Sequence, residues 1–285
     1  MKRETITWLS YGIALLLLVT TGVGLLYTTG GETFTVTNIY GDQIEMYGDG
    51  IYTYNSVLKA GTNKGTDAVM AVVAFAFLLA TRKRDKSAVA NFLHVGLLTP
   101  ILYCATSYAF AVTYNRLFLV YLLLFSLSLF TFILSLRQLI IDDNIPQNLL
   151  NKKLTGTAAF MMISGCSTLV WLMFIIPSVV TGMPMEIIEI YTTEPTFIID
   201  LGIILPATFI CGIMLLKQKR IGYQLVPILL TLLIVVGMCV ISQTIAQMSI
   251  GIVLPIGQLI GLVGTFVALG LLALILNTKF LRHFS

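Results

Sequence analysis

Eight apolar runs separated by short polar links dominate the chain, at residues 6–27, 66–81, 88–111, 117–138, 155–180, 197–216, 221–246 and 255–277. About 20 apolar residues cross a bilayer as a helix, so the pattern predicts about eight transmembrane helices. The links after the even-numbered runs are basic: Arg82–Lys86, Arg137 with Lys152 and Lys153, Lys217 with Lys219 and Arg220, then Lys279 and Arg282. Basic excess marks the cytoplasmic ends of spans. Both termini are therefore expected in the cytoplasm.

One link breaks the pattern. Residues 28–65 carry short alternating stretches around Phe34–Tyr40, Gln43–Tyr47 and Ile51–Tyr54, separated by Gly41-Asp42 and Gly48-Asp49-Gly50. Alternation punctuated by Gly/Asp turns predicts a three-stranded β-meander outside the membrane. Three strands are marginal alone, so this cap is expected to rest on the helix ends. The chain reads as one all-α polytopic transmembrane domain over residues 1–285, with 28–65 as its extracytoplasmic β-cap. The link 141–153 has room for a short interfacial helix.

Composition narrows the class. Of the 285 residues 57% are hydrophobic and 11% charged, against about a quarter charged in soluble domains. The net charge of +4 does not point to nucleic acid. Of 17 Lys and Arg, only Lys59, Lys64 and Arg116 lie on the predicted outer side, which holds nine of the 13 acids. Cys104, Cys166, Cys211 and Cys239 all fall in apolar runs, which implies packing rather than a disulfide framework. The first run follows Met1-Lys2-Arg3 like a signal peptide, but it is too long and no small-residue cleavage site follows.

Asp200 is the exception inside the sixth run, about five residues past Pro195 and therefore roughly 8 Å into its helix. A carboxylate in a span costs on the order of 3 kcal/mol and marks a functional candidate. It is read either as a paired structural acid near the positive end of its helix dipole or as a cation- or proton-binding carboxylate in a pocket open to the outside. Pro206, six residues on, is placed to loosen this helix. Asp67 stands at the predicted start of the second span, where a capping or first-turn acid is usual. Tyr103, Ser107 and Tyr114 share one face of span three. Tyr121, Phe125, Ser128, Phe132 and Ser135 form a stripe on span four. Such residues serve as interface belts and packing hydroxyls, or line a site. Arg116 is read as the preferred partner of an outer carboxylate or, equally, as a solvated residue of its link. The candidate ligand layer is Asp67, Asp200, Tyr103, Tyr108, Tyr114, Asn115 and Arg116.

Other features have plainer readings. His94 alone makes no metal site and is expected as a packed, hydrogen-bonded imidazole. Gly257, Gly261, Gly264 and Ala268 predict close helix approach in span eight. Gln243, Gln247 and Gln258 either line a polar pocket or bond to one another. No catalytic residue, metal or cofactor is indicated. The absence of a mid-span Lys excludes a retinal Schiff base, and no hydrolase, zinc-protease or phosphate-loop motif is present.

Three segments recur together: Tyr47-Gly-Asp-Gly-Ile-Tyr-Thr-Tyr-Asn-Ser56; Ser107–Phe110 with Tyr114–Tyr121 and Phe125–Phe130; and Asp200-Leu-Gly with Pro206, Gly212 and Lys217–Tyr223. Together they resemble a family of uncharacterised multi-pass membrane proteins of bacteria. The resemblance implies a bacterial inner-membrane setting and assigns no residue a role. Small-molecule or cation binding, or transport, is the leading expectation. A membrane sensor or accessory subunit whose cap binds a partner, in a homo- or hetero-oligomer, is the alternative. An intramembrane enzyme has least to build on.

Overall fold

A computed structural model describes residues 3–284; Lys2, one of the basic residues counted above, lies outside them. Among the described residues eight helices are long and apolar enough to cross a membrane. The first four are continuous: α1 (Arg3–Leu26), α2 (Val57–Lys83), α3 (Ala88–Ala111) and α4 (Phe118–Asp142). A short helix α5 (Gln147–Leu150) occupies the 141–153 link. Span five divides into α6 (Thr155–Cys166), a 3₁₀ stretch Ser167–Trp171 and α7 (Leu172–Thr181). Span six divides into α8 (Pro195–Ile199), a π stretch Asp200–Ile204 and α9 (Leu205–Leu216). Span seven is the continuous α10 (Arg220–Ser249). Span eight comprises α11 (Ile256–Gln258), a π stretch Leu259–Val263 and α12 (Gly264–Leu281).

Helix α10 packs against α2, α3, α9 and α12 and forms the centre of the bundle. Small residues set how closely it is approached. A Cβ on Gly65 would stand 2.4 Å from the Gln243 Cα, and one on Gly237 would stand 3.1 Å from the Gly270 Cα. Glycine at both places lets backbones meet, as interfaces between membrane helices require. The second contact corrects the reading of span eight. Gly257 and Gly261 have no neighbour within contact of a Cβ, and the close approach falls at Gly270, farther along the helix.

Two strands form the sheet, β1 (Phe34–Thr37) and β2 (Gln43–Met46), antiparallel with Phe34 opposite Met46. The expected third strand is absent. Gly48 and Gly50 take positive φ of 80° and 61°, and Asp49 Oδ1 accepts from the Thr29 and Gly30 amides. The chain therefore reverses and enters a 3₁₀ turn, Gly50–Tyr52, that buries Ile51 and Tyr52. A tyrosine with a buried hydrogen-bond partner prevailed over the alternation.

The second helix also starts earlier than its apolar run. Ser56 caps it, its hydroxyl accepting from the Lys59 amide at 3.3 Å, and the first two turns mix Val57 and Leu58 with Lys59, Thr62 and Asn63. Asp67 thus lies ten residues inside α2, about 15 Å along the axis. The capping and first-turn reading of Asp67 is overturned: hydropathy located the apolar segment, while the helix began at its cap.

At the end away from the sheet the basic links are tied down. Arg3 bonds Asp142 at 3.0 Å, Arg84 bonds Asp85 at 3.3 Å, and Arg220 pairs with Asp143. His94 is fully buried, stacked on Phe77 at 5.1 Å, with Nε2 2.9 Å from the Ser10 hydroxyl. That hydroxyl already donates to Ile6 O, so Nε2 is the donor. This is the packed imidazole that its isolation suggested.

Candidate functional site: a carboxylate at a helix break

Asp67 and Asp200 each face protein, and each is held by two neutral donors. Tyr52 and Tyr108 donate their hydroxyls to Asp67 at 2.7 Å each. Tyr108 stacks on Tyr121 at 5.4 Å. Gly24 of α1 closes the third side, where a Cβ would fall 1.9 Å from Asp67 Oδ2. Asp67 is 0% exposed and does not line the cavity beside Asp200. The arrangement binds the 3₁₀ turn of the cap to α1, α2 and α3.

Asp200 sits where span six leaves α-helical geometry. Pro206 has no N–H for the carbonyl four residues earlier. The helix widens before it, with the Leu205 amide donating to Asp200 O, five residues back. Such π-bulges accompany functional sites in many helices. Here the bulge presents the Asp200 side chain to α3 and to span five. Tyr103 OH donates to Oδ1 at 3.1 Å, and Trp171 Nε1 donates to Oδ2 at 2.8 Å. Trp171 lies at the 3₁₀ end in span five, stacked on Phe197 at 4.7 Å and Phe266 at 6.2 Å.

Beside Asp200, itself 8% exposed, a cavity of about 280 Å³ opens. Trp171, Phe174, Phe197 and Phe266 form an aromatic wall, with Tyr103 and Tyr108 on α3 and Gln243 and Gln247 on α10. The two glutamines donate to Thr66 and Thr62 of α2, at 2.8 and 2.9 Å, and with Gln258 they resolve the glutamine reading as lining. Pro100 of α3 and Leu232 of α10 are the lining residues farthest from the cap on those helices. Each lies 12 residues from the opposite helix end, about 18 Å, so the cavity stops near mid-height. Farther toward the basic end, buried Phe77, Leu97, Leu98 and Leu229 fill the bundle. At the cap end Lys59 and Glu194 line the mouth and pair with each other. Glu194 also caps α8, accepting from the Thr196 amide.

Between cap and bundle runs a polar seam. Ser56 donates to Glu189, whose backbone carbonyl accepts from Asn38 Nδ2 at 3.0 Å. Burial pushes the Glu189 carboxyl above its ordinary value despite the Ser56 hydroxyl. It likewise pushes the neighbouring Tyr191 phenol up to about 12. The Thr29 amide holds the half-buried Asp49 carboxyl below its ordinary value, against the opposing effect of burial.

Of the candidate layer, Tyr103 meets Asp200 and Tyr108 meets Asp67, while the other three residues lie apart. Tyr114 is 76% exposed and tilts against Phe118. Asn115 accepts from the Leu117 amide at 2.9 Å and orders the turn into α4. Arg116 is exposed and forms no ion pair among the described residues. Its expected pairing with an outer carboxylate is overturned, because both acids found neutral donors deeper in the bundle. Trp171, Lys59, Glu194 and Tyr52 were not singled out from sequence. Trp171 is one of two tryptophans, which was its one available signal. Among the described residues no three His, Cys, Asp or Glu side chains gather as a metal site, and all four cysteines are free. No family model, curated protein or solved structure matches the chain.

Proposed function

We propose that this is an integral protein of a bacterial cell membrane that binds a small molecule in the cavity beside Asp200, as a transport component. In this reading the sheet lies outside, both termini lie in the cytoplasm, and the ligand enters from the outer side past Lys59 and Glu194. One observation carries it: a carboxylate buried at a helix break forms part of a cavity wall. Charges inside a membrane bundle are costly and cluster along ligand and ion paths. Broken helices around a mid-membrane site are a recurring transporter arrangement, and spans five, six and eight all break among the lining residues. The buried layer of Phe77, Leu97, Leu98 and Leu229 between this cavity and the basic end makes it a one-sided site, as in a carrier facing outward. A second reading, an accessory subunit that docks a partner on its cap, draws on the hairpin tip, where Ile39 is 90% exposed beside the exposed Tyr40.

Ligand-induced stabilisation tests the main reading. A panel of small amines, carboxylates and uncharged solutes is screened against the detergent-solubilised protein. A ligand at 100 times its Kd adds about 2.7 kcal/mol of stability. The expected result is a raised melting temperature for at least one class, lost in Val236→Phe, which fills the cavity. Shifts that persist in Val236→Phe, or none from any class, overturn the reading. Orientation has its own test in a background without native cysteines. Cysteines at Asp49 and Glu189 should react with an impermeant reagent in intact cells, and cysteines at Lys153 and Arg220 should not. The reverse pattern inverts the topology.

A further inference from the structure

We infer that the ligand of this cavity is an organic cation: an ammonium or quaternary ammonium group on a small apolar body. The inference rests on the cavity being a small-molecule site and adds the chemistry of what it takes. Three ionisable side chains other than tyrosine and cysteine line the cavity, Lys59, Glu194 and Asp200. Lys59 and Glu194 pair with each other, so the surplus is the negative charge of Asp200. Its partners, the Tyr103 hydroxyl and the Trp171 N–H, are neutral. A carboxylate offers about four acceptor positions, and these two bonds leave the others open. A buried carboxylate without a countercharge is costly, and the cavity is where a countercharge fits.

The lining favours an organic cation over a metal ion. Hard cations are held by about six or more oxygens. Here the groups nearest Asp200 present hydrogens, and no cluster of three potential metal ligands exists among the described residues. Aromatic faces attract weakly hydrated cations once water is excluded, and four aromatic side chains besides the tyrosines line this cavity. The Gln243 and Gln247 amide nitrogens are committed to Thr66 and Thr62. Their carbonyl oxygens accept from no donor among the described residues and suit ammonium hydrogens. At roughly 30 Å³ per water, the 280 Å³ cavity holds about nine waters or a ligand of about ten non-hydrogen atoms.

The test compares charge at constant shape. The full chain carries Trp8→Phe, which removes a tryptophan that is 73% exposed on α1 and leaves Trp171 as the reporter. Fluorescence is titrated with phenyltrimethylammonium, benzylammonium and tert-butylbenzene, the last an uncharged isostere of the first. The expected result is saturable binding of at least one cation about tenfold or more tighter than the isostere. Asp200→Asn should erase that preference while the isostere's affinity holds. Phe266→Leu tests the aromatic wall independently of Asp200, and the cation should weaken several-fold more than the isostere. If tert-butylbenzene binds as tightly as both cations, the charge inference is overturned and the cavity remains a small-molecule site. If none of the three binds saturably, the charge inference is overturned. If the wider panel also leaves the melting temperature unmoved, the cavity reading falls with it.

Discussion

Asp67 and Asp200 are the same side chain with the same kind of support, two neutral donors each, at two places in one bundle. They differ in what lies on the remaining side. Asp67 meets the bare backbone of Gly24 and two packed tyrosines, inside a continuous helix. Asp200 meets open volume, at a π-bulge, opposite a second broken helix. A buried carboxylate without access can only hold elements together. One that borders a cavity can exchange a partner. Burial does not separate the two, but access does.

The sharpest test of that contrast is Gly24→Ala. The added methyl cannot fit beside Asp67, and overpacking combined with loss of a bond to a charged group costs about 3–5 kcal/mol. Its melting temperature in detergent should fall far below that of Gly22→Ala, where nothing lies within contact. Equal values would mean that Asp67 is less tightly enclosed than its geometry shows. Next in size is the tyrosine pair. Tyr108→Phe removes a donor from a sealed carboxylate and should cost about 1.5–3 kcal/mol. Tyr103→Phe does the same where water can enter through the cavity, and should cost less than about 1 kcal/mol. If the two losses match, Asp200 is as structural as Asp67 and the comparison breaks.

A smaller effect is expected for Asp200→Asn, which keeps shape and most hydrogen bonds. Its melting temperature should stay within about 1 kcal/mol of the parent, while cation binding disappears. A large drop in melting temperature would move Asp200 to the structural side. Smallest is a pH effect at the seam that joins the cap to both sites. Burial raises the Glu189 carboxyl above its ordinary value near 4.5. Its protonated form therefore favours folding: the contribution is complete below that value and is lost as pH rises through the raised one. Glu189→Gln lacks this titration. Its melting temperature should gain on wild type as pH rises from about 4.5, and a constant difference would show that Glu189 is not desolvated.

Much of the fold was legible because the length and apolarity of a helix are local quantities. Run length and charge along the chain set eight helices, and the alternation at 34–46 set a hairpin. Asp200 was legible for the same reason, since a lone acid in an apolar run is conspicuous in one dimension. Tyr103 and Tyr108 were visible only as members of a tyrosine-rich stretch that also held Tyr114, Asn115 and Arg116. Sequence could not sort them, because which tyrosine reaches which acid depends on helix rotation and crossing. Ser56 set the start of α2 by capping rather than by hydropathy, and so Asp67 moved from a helix end to its interior.

By itself, then, the sequence determined the number of long apolar helices, the basic end, the hairpin and the presence of one misplaced carboxylate, all consequences of short-range chemistry. Only the tertiary structure decided that Tyr52 turns inward instead of extending a strand, and that Gly24 shuts Asp67 away. It also decided that Trp171 and Tyr103, 68 positions apart by their numbers, grip Asp200 at the wall of a cavity. Those outcomes rest on contacts between segments distant in the chain, where a single missing Cβ or a π-bulge decides whether a charge is sealed in or left within reach.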